Sequence, residues 1–279
     1  MAGKLGNASM KNLGNNMFKI LLILFVLYGL LVALSYLFQD KMVFLPTKLK
    51  AQYAFSFEEN FEEIVLDRSG EKLSGVYFTQ PDTSRGLILY FHGNADDLQR
   101  WGNYAVDFTR LGYEVMMIDY PGYGKSEGKP TEENFYESAV IAYEWAHAKY
   151  APEDIIIYGR SIGSGPASYL ASQKDAGLLI LETPFFSMRD VINRRFRLFF
   201  PYQLKYHFPV FEYLQKRKME EAHIFQGTDD ETVPYASAIK LRPFLPDNSH
   251  FITIEGGRHK NLAEFEEFHL GLRKILLKE

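Results

Sequence analysis

Hydrophobic and polar positions along the chain fall into three regimes. The first is a run of twenty residues without a charge between Lys19 and Asp40, "ILLILFVLYGLLVALSYLFQ". At ~1.5 Å rise per residue, a helix of that length spans about 30 Å, the thickness of a bilayer's hydrocarbon core. A soluble helix this long would show a polar face, and this run shows none. A cleaved signal peptide is the main rival. Lys4, Lys11 and Lys19 precede the run, and Ala33 and Ser35 form a weak small-residue pattern. The apolar core of such a peptide, however, is roughly 7–15 residues long. The segment reads as an uncleaved single-pass anchor over residues 20–39, behind a short basic segment, 1–19. Lys41, Lys48 and Lys50 follow closely, so the count of flanking positive charges is a tie. The short basic N-terminus resembles a signal-anchor and places the large C-terminal body outside the cytoplasm.

The second regime follows a linker over residues 40–60. "FEEIVLD" and "KLSGVYFTQ" predict two strands of a hairpin, joined at "RSGE", where Ser-Gly supplies a permissive backbone. The third regime fills the rest of the body. Apolar runs of strand length, "GLILYFHG", "YEVMMIDY", "DIIIYG", "GLLILETP", "AHIFQG" and "HFITIEGG", alternate with helical stretches. Continuous rather than alternating hydrophobicity marks strands covered on both faces, as in a parallel sheet. "TEENFYESAVIAYEWAHAKY" opens with Thr131 and early acids, an N-terminal helix signature, and its Phe135, Ala139, Ala142, Tyr143 and Ala146 recur at helical spacing. The pattern predicts an α/β body over residues 61–279, a mostly parallel eight-stranded sheet with helices on both faces.

Composition narrows the picture. The chain has 279 residues, 47% of them apolar, enough for one domain with a core. A net charge of −4 argues against nucleic acid as a partner, and the lack of cysteine excludes disulfides, thiolate metal sites and a cysteine nucleophile.

In open α/β sheets, sites collect beyond the carboxyl ends of strands. Four such ends carry chemistry here. "DIIIYG" runs into Gly159-Arg160-Ser161-Ile162-Gly163 and then a helical stretch. A sharp strand-to-helix turn would present the Ser161 hydroxyl, and the crowding of such a turn gives Gly159 and Gly163 a steric reason. Alone, the pattern arises easily by chance. "AHIFQG" ends in Thr228-Asp229-Asp230-Glu231, either a solvated acidic loop or the source of a carboxylate that orients an imidazole. "HFITIEGG" ends in Arg258-His259, a base on a loop after the last strand. "LILYFHGNA" ends in His92-Gly93-Asn94, where the Asn94 amide would join that of Ile162 in binding an oxyanion, with His92 holding the loop. Taken together, Ser161, Asp230 and His259 stand in the chain order of one serine-hydrolase fold and of no other common one.

Residues from about Phe61 onward resemble an α/β-hydrolase-fold serine hydrolase. The stretches "FHGNADD", "DYPGYGKSEGKPTE", "GRSIGSG", "GTDDETVP" and "GGRHKNL" are similar to the membrane-anchored branch related to bud-emergence proteins. That resemblance places the acid on Asp230 through G-x-x-D-x-x-V-P, with Glu182, at the end of "GLLILE", as runner-up. It implies ester or thioester hydrolysis with no metal and no cofactor, and it leaves the substrate open. It also implies a cap at the insertion of about residues 185–220. That insertion, "PFFSMRDVINRRFRLFFPYQLKYHFPVFEYLQKRK", is rich in aromatics and carries Arg189, Arg194, Arg195, Arg197, Lys205, Lys216, Arg217 and Lys218. Two readings stand side by side: aromatics packed on the body, or a basic, greasy surface lying on anionic lipid. The expectation is an anchored hydrolase of carboxylic ester or thioester bonds in acyl-lipid-like substrates, whose partners are the lipid bilayer and a small acyl ester or thioester. A peptidase or amidase, an acyltransferase and a silent binding protein are the alternatives.

Overall fold

The computed structural model describes residues 3–195 and 204–278. The charge-free run lies inside one helix, α1 (Gly3–Leu37), which starts well before it. Its apolar stretch, Gly14–Leu37, has a mean hydropathy of 2.7 and none of it is buried against the body. A short helix, α2 (Gln39–Val43), and a two-residue strand, β1 (Leu45–Pro46), come next. The stretch expected as a linker is a fixed arm on the body. Phe44 is buried against Phe135 and Tyr206, with ring centroids at 5.2 and 4.7 Å, and Phe55 is buried further on. Two isolated aromatics give no periodicity for a sequence to display, yet each removes a large apolar surface from water.

The hairpin forms as expected from β2 (Phe61–Arg68) and β3 (Glu71–Phe78). Its two turn residues, Ser69 and Gly70, both take left-handed backbone with φ of 51° and 89°, the twist that suits a two-residue hairpin. Next come β4 (Leu87–Phe91), a two-residue β5 (Ala95–Asp96), the short helices α3 (Leu98–Trp101) and α4 (Val106–Thr109), and β6 (Glu114–Ile118). The second half alternates helix and strand, with two helices between β8 and β9: α5 (Glu132–His147), β7 (Ile155–Arg160), α6 (Ser164–Gln173), β8 (Leu178–Glu182), α7 (Met188–Arg195), α8 (Val210–Gln215) and β9 (Ala222–Gly227). The one-turn α9 (Tyr235–Ala238), β10 (Phe251–Ile254) and α10 (Glu266–Leu277) complete the body.

Eight strands form one sheet in the order β10-β9-β8-β7-β4-β6-β3-β2. The β2–β3 and β3–β6 pairings are antiparallel and the other five are parallel. β1 and β5 pair with each other in parallel, apart from the main sheet. Because side chains alternate along a strand, each central strand feeds two cores. Leu87, Leu89 and Phe91 join one core with α5, α6 and α8, while Ile88 and Tyr90 join the other with α3, α4 and α10. The helix α5 confirms its pattern: the Thr131 hydroxyl accepts from Asn134 N at 3.2 Å, and Phe135, Ala139, Ala142, Tyr143 and Ala146 are all buried.

The insertion between β8 and β9 carries α7 and α8. Residues 196–203, Arg197 among them, lie outside the described residues, as does the Arg195 side chain. The aromatics that are described pack on the body: Phe208 is fully buried, and Phe186 stacks on Phe211 at 4.3 Å. Several of the basic groups are held by protein. Arg194 Nε meets Asp190 at 3.1 Å, Lys205 Nζ meets Asp40 at 3.2 Å, and Arg217 Nη1 donates to the carbonyls of Leu214 and Phe244 at 2.7 and 2.8 Å.

Candidate active site

The end of β7 is a tight elbow. Ser161 has left-handed backbone, φ 54°, a conformation that costs a non-glycine residue on the order of 1–3 kcal/mol. Two glycines make it possible. A Cβ on Gly159 would stand 2.5 Å from the Ala167 Cβ, and one on Gly163 would stand 2.1 Å from the Phe91 carbonyl oxygen. The chain therefore passes where no side chain fits, and α6 begins three residues later, so its N-terminal end lies close to the serine.

The loops after β9 and β10 are tied together. Thr228 N donates to Ile254 O at 3.0 Å and Asp229 N donates to Gly257 O at 2.9 Å. This brings Asp230 and His259 together. His259 Nδ1 lies 2.8 Å from Asp230 Oδ2, and His259 Nε2 lies 2.9 Å from Ser161 Oγ. The Asp230 carboxylate is buried but well satisfied. Its Oδ1 accepts from the amides of Thr232 and Val233 at 2.8 and 2.7 Å, and its Oδ2 also accepts from Gln226 Nε2 at 3.1 Å. Buried charge is tolerable only with such partners. Asp229, next to it, is exposed, with the Thr228 hydroxyl donating to it at 3.2 Å.

Glu182, the runner-up acid, is occupied elsewhere. It forms a buried ion pair with Arg160 Nε at 3.2 Å and accepts from the Tyr158 hydroxyl at 2.8 Å. The Arg160 guanidinium also sits over the ring of Tyr104, 4.4 Å from its centroid. Nearby, burial pushes the Asp107 carboxyl up to about 6, and the charge of Glu182 adds to the effect.

His92 holds the loop, as expected. It is fully buried, its Nδ1 lies 2.7 Å from the Gly93 carbonyl, and the Tyr120 hydroxyl donates to its own carbonyl at 2.8 Å. Burial pushes its imidazole down to about 4, so the ring is neutral at ordinary pH. The next residue, Asn94, uses its side chain as a clamp. Its Nδ2 donates to Val43 O at 2.6 Å, and its Oδ1 accepts from the Tyr123 hydroxyl at 2.8 Å.

A cavity of about 390 Å³ opens over the serine. Gly93, Asn94, Ser161, Ile162 and His259 line its polar end. Phe185, Met188, Val191 and Ile192, from the stretch after β8, and Met42, Val43 and Leu45, from the arm, give it an apolar lining. Sequence reasoning missed the last three residues, and it missed Gln226. A two-residue strand has no period to read, and a glutamine inside a strand run carries no mark of its partner.

Residues 82–222, half of the chain, match the family described as serine aminopeptidase, S33. The matched span includes the elbow but ends before Asp230 and His259. Among curated proteins, the alpha/beta hydrolase domain-containing protein 17C of Xenopus tropicalis is 30% identical over 202 residues, 70% of this chain and 63% of that one. The human protein of the same name is 27% identical, over 82% of this chain and 70% of that one. The chain thus spans less than two thirds of the length of the frog relative. Among solved structures, an esterase from Pyrococcus furiosus superposes with a TM-score of 0.66 at 17% identity, covering 85% of this chain and 97% of that one. Est1E from Butyrivibrio proteoclasticus, with ferulic acid bound, gives 0.62 at 19% identity, covering 77% and 98%. These two likenesses show the shared α/β-hydrolase fold.

Proposed function

The chain belongs to the serine aminopeptidase S33 family of α/β-hydrolases, and we propose that it is a membrane-anchored serine hydrolase cleaving carboxylic ester or thioester bonds through an acyl-enzyme. One observation carries this reading: the unbroken chain from Asp230 Oδ2 through His259 to Ser161 Oγ, with links of 2.8 and 2.9 Å.

The chemistry follows from that chain. Ser161 Oγ attacks the acyl carbonyl carbon while His259 Nε2 takes the hydroxyl proton. Asp230 holds the ring so that Nδ1 carries its hydrogen toward the carboxylate, and it stabilises the imidazolium that forms. The amides of Asn94 and Ile162 receive the negative charge that develops on the carbonyl oxygen. The imidazolium then gives its proton to the departing alcohol or thiol, and the acyl group stays on Ser161. Water, deprotonated by His259, attacks the acyl-enzyme; as the bond to Ser161 Oγ breaks, the imidazolium returns that proton to the serine and the carboxylic acid leaves. Asp230, His259, Ser161 and the two amides account for every proton and charge in the cycle.

The lining of the cavity favours an acyl group over a peptide with a free amino terminus. Recognition of an ammonium calls for a carboxylate, and among the described lining residues there is none, whereas apolar side chains and the cations of Arg100 and Lys260 are present. The anchor reading rests on α1, whose apolar stretch of 24 residues stands free of the body, as a core helix would not.

The test is labelling of membranes with a fluorophosphonate probe. Wild type is expected to label, while Ser161→Ala does not and His259→Ala does so at least a thousandfold more slowly, with folding intact. Equal labelling of Ser161→Ala would remove the serine from the mechanism, and absence of labelling in folded wild type would favour a silent binding protein.

A further inference from the structure

We propose that the arm Gln39–Pro46, between the membrane helix and the body, forms the acyl-chain wall of the active-site cavity and admits that chain from the bilayer side. This rests on the hydrolase reading above and assigns its substrate class: esters or thioesters whose acyl chain is rooted in the membrane.

Position is the first argument. The apolar stretch of α1 ends at Leu37, and Gln39 already lines the cavity. Two residues reach at most about 7 Å, so the edge of the cavity stands that close to the end of the apolar helix. The second argument is exposure. Met42 and Leu45 line the cavity, yet they are 55% and 53% exposed. An apolar side chain that faces a cavity while half open to the outside borders an entrance. Met188 and Ile192 line the same cavity, so the arm and the insertion after β8 both give it apolar walls.

The arm is also held on two sides. On one side, Asn94 clamps it: Nδ2 donates to Val43 O at 2.6 Å, Oδ1 accepts from Leu45 N at 3.4 Å, and Leu45 pairs with Ala95 in the small parallel ladder. These bonds fix the wall to the loop whose amide faces the reacting carbonyl. On the other side, Lys205 N donates to Gln39 Oε1 at 2.9 Å and the Tyr206 hydroxyl donates to Asp40 at 2.7 Å, tying the wall to the insertion after β8. With the carbonyl at Ser161, an acyl chain following the apolar walls runs past Met42 toward Leu37 and the hydrocarbon.

The test uses the full chain in detergent micelles and reads kcat/KM for p-nitrophenyl butyrate and p-nitrophenyl palmitate. Met42→Trp, at a half-exposed position that carries little of the fold, is expected to lower the palmitate-to-butyrate ratio by about tenfold or more. Val65→Trp, on the exposed outer strand, is expected to keep the wild-type ratio. An unchanged ratio in Met42→Trp, or an equal loss on both esters, overturns the proposal while leaving the hydrolase reading intact. Wild type that cleaves neither ester and takes no fluorophosphonate label overturns both. A second arm reconstitutes the wild type in phosphatidylcholine vesicles, with a long-chain acyl ester either in the same vesicles or in separate ones. Cleavage confined to the shared vesicles is expected; equal cleavage in separate ones overturns entry from the bilayer.

Discussion

Arg160 and Glu182 face each other across the β7–β8 pairing, one residue before the serine elbow, with an Nε–carboxylate separation of 3.2 Å and almost no exposure of either side chain. The pair is structural: each charge makes the other tolerable in a dry interior. Removing one partner from such a pair costs roughly 3–5 kcal/mol, because the survivor is left buried and unmatched. Glu182→Gln is therefore expected to lower stability by about that amount, read from thermal or urea unfolding in detergent. Its folded fraction should still turn over a short ester. Loss of turnover at unchanged stability would instead make Glu182 the acid of the triad.

The contrast between two adjacent aspartates gives a sharper case. Asp230 is buried and bonded to His259, while the Asp229 side chain is exposed and accepts from its neighbour's hydroxyl. Asp230→Asn is expected to reduce kcat on a short ester by about 10³–10⁴-fold, since the amide favours the wrong imidazole tautomer. Asp229→Asn should change it less than threefold, as surface substitutions away from a site generally do. The two rates measured side by side decide the matter, and the reverse ranking would move the acid by one residue.

A pH dependence of stability follows from Asp107. Its carboxyl is pushed up to about 6 by burial, above the usual carboxylate value, so the folded state holds a proton that the unfolded state has already released. The sign is then fixed: wild type loses stability as pH rises from about 4 through 6, and above 6 it carries a poorly solvated charge. Asp107→Asn removes that charge. It is expected to stabilise the protein at pH 8 by on the order of 2 kcal/mol and to have little effect at pH 4. Unfolding curves at the two pH values test this, and an equal gain at both would assign the effect to packing.

These residues also show what the sequence alone made legible. Continuous apolar runs identified the strands because a sheet covered on both faces needs apolar side chains on both, as in β4 and in most of β7 and β8. Ser161, Asp230 and His259 were visible because each follows such a run. The pairing of charges was not visible. Lys205 read as a surface cation, but its partner Asp40 lies 165 residues earlier in the chain. Nor was the arm visible: a helix of five residues and a strand of two produce no period, and their placement depends on Phe44 finding a pocket built by α5 and the insertion.

The arm has a mechanical consequence as well. Leu37 ends the membrane-length helix, Phe38 intervenes, and Gln39 is already buried in the body. A flexible tether would let a catalytic domain sweep a volume that widens with its length. Here there is no slack to sweep with. Where α1 sits in a bilayer, the edge of the cavity at Gln39 is leashed close to its surface. The enzyme then searches by lateral diffusion, and a scissile bond held high above the lipid stays out of reach however abundant it is.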